Sequence, residues 1–102
     1  MQDFILAKRE EIAELCRKHH VRRLSVFGSA ARDDFDPETS DVDIIVEFED
    51  IPVGEYSDNK CALHDELVSK FNRKVDLLTW KSVKNRYLLR SIERSQQTLY
   101  GA

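Results

Sequence analysis

Three aspartates and one glycine–serine pair are the residues of this chain best placed to do chemistry together. Asp41 and Asp43 stand in Asp41-Val-Asp-Ile-Ile-Val-Glu-Phe48, the densest β-branched run in the sequence, and such a run favours a strand. Side chains at i and i+2 of a strand share a face, so the two carboxylates project together while Val42, Ile44 and Val46 turn the other way into a core. Like charges about 4 Å apart at an effective dielectric near 20 repel by roughly 4 kcal/mol, a large fraction of a small domain's stability. A cation is the natural compensation. Hard oxygen ligands suit Mg²⁺, which takes one or two carboxylates and completes its shell with water and substrate phosphates.

Asp76 lies between Val75 and Leu77-Leu78, and an acid in so apolar a segment needs solvent, a partner or a metal. If its strand lies beside the Asp41 strand, the three acids form one metal-binding site. Upstream, Gly28-Ser29 follows the apolar end of Val21–Phe27. A turn there, opening a short helix, offers backbone N–H groups and a hydroxyl to an anion, with glycine permitting close approach. Arg32 can touch the same phosphate or pair with Asp33, Asp34 or Asp36 across the turn. Together these parts describe a nucleoside triphosphate held at Gly28 and Ser29, bridged by Mg²⁺ to Asp41 and Asp43, with Asp76 near an incoming hydroxyl.

Positioning these residues requires a particular order of elements. Asp3 to about His20 reads as a helix, with Ile5, Ile12, Leu15 and Cys16 on one face and Glu14 one turn from Arg17 and Lys18. Val21–Phe27 is a strand, Ala30–Asp34 a short helix, and Phe35–Ser40 turn chemistry. After the Asp41–Phe48 strand, residues 49–59 carry Pro52, Gly54, Ser57, Asp58 and Asn59. They read as an acidic loop, a candidate lid or partner contact, before a helix with Leu63, Leu67 and Phe71 at successive i, i+4 positions. Lys74–Leu78 is a short strand, Ser82 caps a helix reaching about Arg94, and Thr98–Tyr100 is a last extended piece. The expected fold class is α/β (α+β), a small mixed sheet backed by helices.

Bulk properties narrow the function classes. With 102 residues the chain is expected to form one domain, 1–102, with one modest core. A net charge of −3 disfavours a general nucleic-acid binder, which would show a basic stripe. Cys16 and Cys61 are too far apart for a short metal motif, and a reducing cytoplasm fits them. No apolar span approaches the roughly 20 residues a bilayer needs. His19, His20 and His64 lack ligand spacing and read as structural or exposed, and Trp80, Tyr87 and Tyr100 read as core or interface. Lys81-Ser-Val-Lys-Asn-Arg86 reads as a solvated helix start.

Phe27-Gly-Ser-Ala-Ala-Arg-Asp33, Ser40-Asp-Val-Asp-Ile-Ile-Val46 and Val75-Asp-Leu77 resemble the nucleotidyltransferases of the DNA polymerase beta superfamily. Within it they look most like the small stand-alone MNT proteins, many of which are antitoxins paired with HEPN-domain toxins. The resemblance covers most of the chain and implies a polymerase-beta-like fold. It also implies that Gly28 and Ser29 bind triphosphate, that Asp41 and Asp43 hold metals, two Mg²⁺ ions when nucleotide is bound, and that Asp76 assists deprotonation of the acceptor. Two departures fall in the turn: Asp33 stands where these proteins often have glycine, and eleven residues separate Ser29 from Asp41.

The expected reaction is transfer of AMP from ATP to a hydroxyl, with release of pyrophosphate. A chain this short has little room for an acceptor module, so a partner protein should bring the acceptor. By resemblance that partner is a HEPN toxin, the acceptor a tyrosine and the role that of a prokaryotic antitoxin. Two rivals stand beside it: an antitoxin that masks its toxin without catalysis, and a transferase acting on a small molecule, with acceptor contacts supplied by a homodimer.

Overall fold

The computed structural model of the chain describes residues 1–31 and 41–101. Its frame is a four-stranded sheet in the order β3-β2-β1-β4, built from β1 (Val21–Phe27), β2 (Val42–Phe48), β3 (Val75–Thr79) and β4 (Gln97–Tyr100). β1 pairs antiparallel with β2 and β4, whereas β2 pairs parallel with β3, so the sheet is mixed as expected. A parallel pair needs a crossover, and α3 (Val53–Phe71) supplies it.

Alternation along the strands sorts the two faces. Val42, Ile44 and Val46 join Leu24, Val26, Val75 and Leu77 on the face covered by α2 (Arg9–Lys18) and α3. Ile12, Leu15 and Cys16 of α2 and Leu63, Leu67 and Phe71 of α3 complete this core. The other face holds a smaller cluster of Phe27, Ile45 and Ile92, with Leu78, Trp80 and Val83 against it. Ile92 belongs to α4 (Arg86–Ser95), which covers only part of that face.

Local chemistry moved several boundaries. The first helix is two: α1 (Asp3–Leu6) ends where Lys8 N–H bonds the Ile5 carbonyl, an i→i−3 tightening, and α-helical bonding resumes with Ile12 N–H on Lys8 O. Lys18 pairs with Glu66 of α3 rather than with Glu14. The expected loop over residues 49–59 is shorter, because α3 begins at Val53, directly after Pro52. Proline is tolerated at a helix start, and the Tyr56 ring meets Phe48 edge-on at 5.5 Å, anchoring the exposed first turns despite Gly54. Ser82 does not cap α4. Its hydroxyl closes a 3-10 turn by donating to Thr79 O, and Asn85 caps α4 instead, its Oδ1 accepting from Tyr87 N–H at 2.8 Å and Leu88 N–H at 3.1 Å. The piece after Ser29 is a 3-10 turn over Gly28–Ala31; its expected continuation, the Phe35–Ser40 turn and Arg32 lie outside the described residues.

Candidate active site

The parallel ladder of β2 and β3 aligns Asp43 with Asp76, and the antiparallel ladder of β1 and β2 aligns Phe27 with Asp43. Residues paired in register point to the same face, so both carboxylates lie on the face that α4 covers only in part. They stand beside the turn that follows Phe27. The three elements expected to cooperate are therefore neighbours across three adjacent strands.

Gly28 makes this proximity possible. Its φ of +66° lies in the left-handed region, and a Cβ there would come within 2.8 Å of Asp43 Oδ2. The carboxylate thus rests against the bare glycine backbone. Gly28 N–H is oriented by α4, donating to Ser95 Oγ at 3.1 Å, while that hydroxyl donates to Ser91 O at 2.9 Å. Gln97 Nε2 reaches Ala31 O at 3.1 Å and fixes the far end of the turn. Ser29, half-buried, follows Gly28 within this anchored segment.

Asp41 precedes β2, and its Oδ2 lies 3.7 Å from Lys74 Nζ, the residue before β3. Both partners are solvent-accessible, so the ion pair is weak and open to exchange. Asp76 is exposed and Asp43 half-buried. Among the described residues no three acidic, histidine or cysteine side chains already stand at metal-holding distance. The two carboxylates in register still fit Mg²⁺, because that ion asks the protein for only one or two carboxylates and takes its other ligands from water and phosphate.

None of the histidines belongs to the site. His19 is buried and hydrogen-bonded to the Glu66 carboxylate, and His64 Nε2 lies 2.9 Å from Val75 O. Cys16 and Cys61 are free thiols. Tyr87 is not core: it is 81% exposed. Sequence reasoning missed the Ser95 contact to Gly28 and the Lys74 contact to Asp41. Each joins residues distant in sequence: the β2–β3 register brings Lys74 to Asp41, and the packing of α4 on the sheet brings Ser95 to Gly28.

The nucleotidyltransferase domain family matches residues 9–99 of this chain. A Methanocaldococcus jannaschii protein named as a candidate protein adenylyltransferase is 38% identical over 91 residues, covering 81% of this chain and 89% of that protein. Among solved structures, one described as a minimal nucleotidyltransferase superposes with a TM-score of 0.67 at 27% identity, covering 94% of this chain and 95% of that one. A chain from the complex of a tri-AMPylated Shewanella oneidensis HEPN toxin with its MNT antitoxin superposes with a TM-score of 0.66 at 21% identity, covering 96% and 73% respectively, and shares the fold. The family match and the fold define a nucleotidyltransferase of the minimal type. This chain belongs to the nucleotidyltransferase domain family.

Proposed function

We propose that this nucleotidyltransferase moves AMP from ATP onto a hydroxyl of a partner protein and acts as the antitoxin of a HEPN-type toxin. The observation that carries the reading is the alignment of Asp43 with Asp76 on adjacent parallel strands, beside the anchored Gly28 turn. The protein acceptor is supported by the relatives named for protein adenylylation and by the AMP-bearing toxin in the fold neighbour. A tyrosine acceptor rests on the family resemblance.

Gly28 and Ser29 would hold the triphosphate, with Arg32 as a further contact. Asp41 and Asp43 would bind Mg²⁺, Asp41 by giving up Lys74, and Asp76 would complete the set. Bound there, Mg²⁺ supplies charge neutralisation at the phosphates and lowers the cost of ionising the acceptor. Asp76 lies on the exposed side, where it takes the proton of the incoming hydroxyl. The acceptor oxygen then bonds to the α-phosphorus while the bond from that phosphorus to the β-phosphate's bridging oxygen breaks, and pyrophosphate leaves. Positioning and charge neutralisation carry most of the acceleration in such transfers.

The test is incubation of wild type and Asp43→Asn with Mg²⁺, α- or γ-labelled ATP and the co-expressed toxin. Label on the toxin from the α position only, lost in the variant, is the expected result. If the toxin stays unlabelled yet is neutralised equally by both proteins, the chain masks its partner. Label on a small molecule alone would move the acceptor to that class.

A further inference from the structure

On the far side of the Gly28 turn from the aspartates lies a groove of about 620 Å³. Its walls include Ala31, Tyr87, Arg90, Ser91, Arg94 and Ser95. Four of these, Tyr87, Arg90, Ser91 and Arg94, recur at i, i+3, i+4 and i+7 and form one face of α4, while Ile92 on another face is buried in the sheet. The Asn85 cap and the Ile92 contact hold this helix in place. Ser95 both lines the groove and receives the Gly28 N–H bond, so the groove is continuous with the turn.

The segment that supplies this helix runs against the charge trend of the chain, and Arg90 and Arg94 are its two cations that line the groove. Residues 81–94 contain Lys81, Lys84, Arg86, Arg90 and Arg94 against Glu93, five positive and one negative, for a net +4. With 16 basic and 19 acidic residues in all, the remaining residues carry 11 and 18, a net −7. Arg90 and Arg94 are exposed and pair with no carboxylate among the described residues. A solvated helix face would ordinarily mix signs.

Resting on the nucleotidyl-transfer reading above, we propose that Arg90 and Arg94 form a polyphosphate subsite that grips the β- and γ-phosphates of ATP and then the departing pyrophosphate. Sheet order supports this. Asp76 on β3, Asp43 on β2 and the Gly28 turn at the end of β1 follow one another across neighbouring strands, and the groove beside β4 is the next position along the same line. A triphosphate whose α-phosphorus meets the carboxylates extends over the turn and ends at the two guanidiniums. Their planar forks match phosphate oxygens bidentately. When the α–β bridging bond breaks, its electron pair goes to the β-phosphate oxygen, and the new charge is met by Arg94 and Arg90.

The experiment measures equilibrium binding of ATP, AMP and inorganic tripolyphosphate, each with Mg²⁺, to the full chain and to Arg90→Gln/Arg94→Gln and Arg94→Lys. Both altered positions are solvent-exposed, and circular dichroism checks the fold. The double variant should lose on the order of tenfold to a hundredfold in affinity for ATP and tripolyphosphate, with AMP affinity within about twofold of wild type. Arg94→Lys should fall between. Equal affinities for ATP and tripolyphosphate in wild type and double variant would overturn the subsite and leave the basic face to an acidic protein segment. An equal loss for ATP and AMP would overturn it too. Tripolyphosphate binding is independent of AMP transfer, so failure of the transfer reading is visible separately.

Discussion

Gly28 and Asp43 share one small volume: a methyl group on the glycine would sit 2.8 Å from the aspartate's Oδ2. The turn proposed to meet the nucleotide and the acid proposed to meet the metal therefore cannot vary independently. Gly28→Ala adds the contact to a left-handed backbone, and should cost about 1–3 kcal/mol. The clash should also turn Asp43 out of line with Asp76. The expected outcome is a melting temperature lower by several degrees and loss of transfer that added Mg²⁺ does not restore. An unchanged melting temperature would mean the turn has room to shift.

Asp76 faces Asp43 across the parallel ladder and is exposed. For carboxylates about 4 Å apart in a water-like dielectric the repulsion is about 1 kcal/mol. Asp76→Asn should therefore raise the melting temperature by a few degrees in metal-free buffer while abolishing transfer. Asp41→Asn is the control: removing that acid also removes the Lys74 ion pair, and the two effects offset each other. A drop in melting temperature for Asp76→Asn would show that Asp76 has a structural partner.

Glu66 of α3 joins Lys18 and His19 at the end of α2, and the His19 hydrogen bond, then the Lys18 bond, hold its carboxyl below the ordinary glutamate range. A group whose folded pKa is depressed stabilises above its unfolded value and loses that contribution as pH falls through the folded one. The contribution of Glu66 should thus be complete above about pH 4.3 and fade on further acidification. Thermal melts between pH 3 and 7 should show a flatter acid limb for Glu66→Gln than for wild type. Parallel limbs would remove Glu66 from the acid response.

Burial pushes the Cys16 thiol up to about 12, whereas Cys61 lies exposed on α3. The thiolate is the reactive form. At pH 8 an alkylating reagent should modify one thiol in the native protein and two after denaturation, and peptide mapping should place the native adduct on Cys61. Rapid native modification of Cys16 would mean that the packing of α2 on the sheet opens readily.

Much of the fold was legible in the residues because local pattern and tertiary need agreed. The β-branched run at 42–48 had to be a strand, and the Leu63, Leu67 and Phe71 spacing had to face a core. The acids were legible for a related reason: Asp43 and Asp76 interrupt apolar runs, and the strand register sets both on the face that α4 covers only in part. The errors fell where composition and context disagreed. Residues 53–59 carry loop-like chemistry yet coil as helix, because Tyr56 finds Phe48 and the helix is anchored further along. Ser82 looked like a cap, but Asn85, three residues later, takes the helix N–H groups. The Lys74–Asp41 contact depends on strand register and the Ser95–Gly28 contact on how α4 packs against the turn, and no single segment encodes either.

β3 lies at the edge of the sheet, held on one side only by β2. Its backbone amides should exchange with solvent through a local opening that leaves the β1–β2 hairpin closed. In that opened form Asp41, Asp43 and the Gly28 turn remain assembled while Asp76 is withdrawn. On the proposed reading of the site, such a form would hold nucleotide without passing it on. Anything that pins the edge strand, including a protein laid along its outer side, would then set the fraction of molecules ready to turn over.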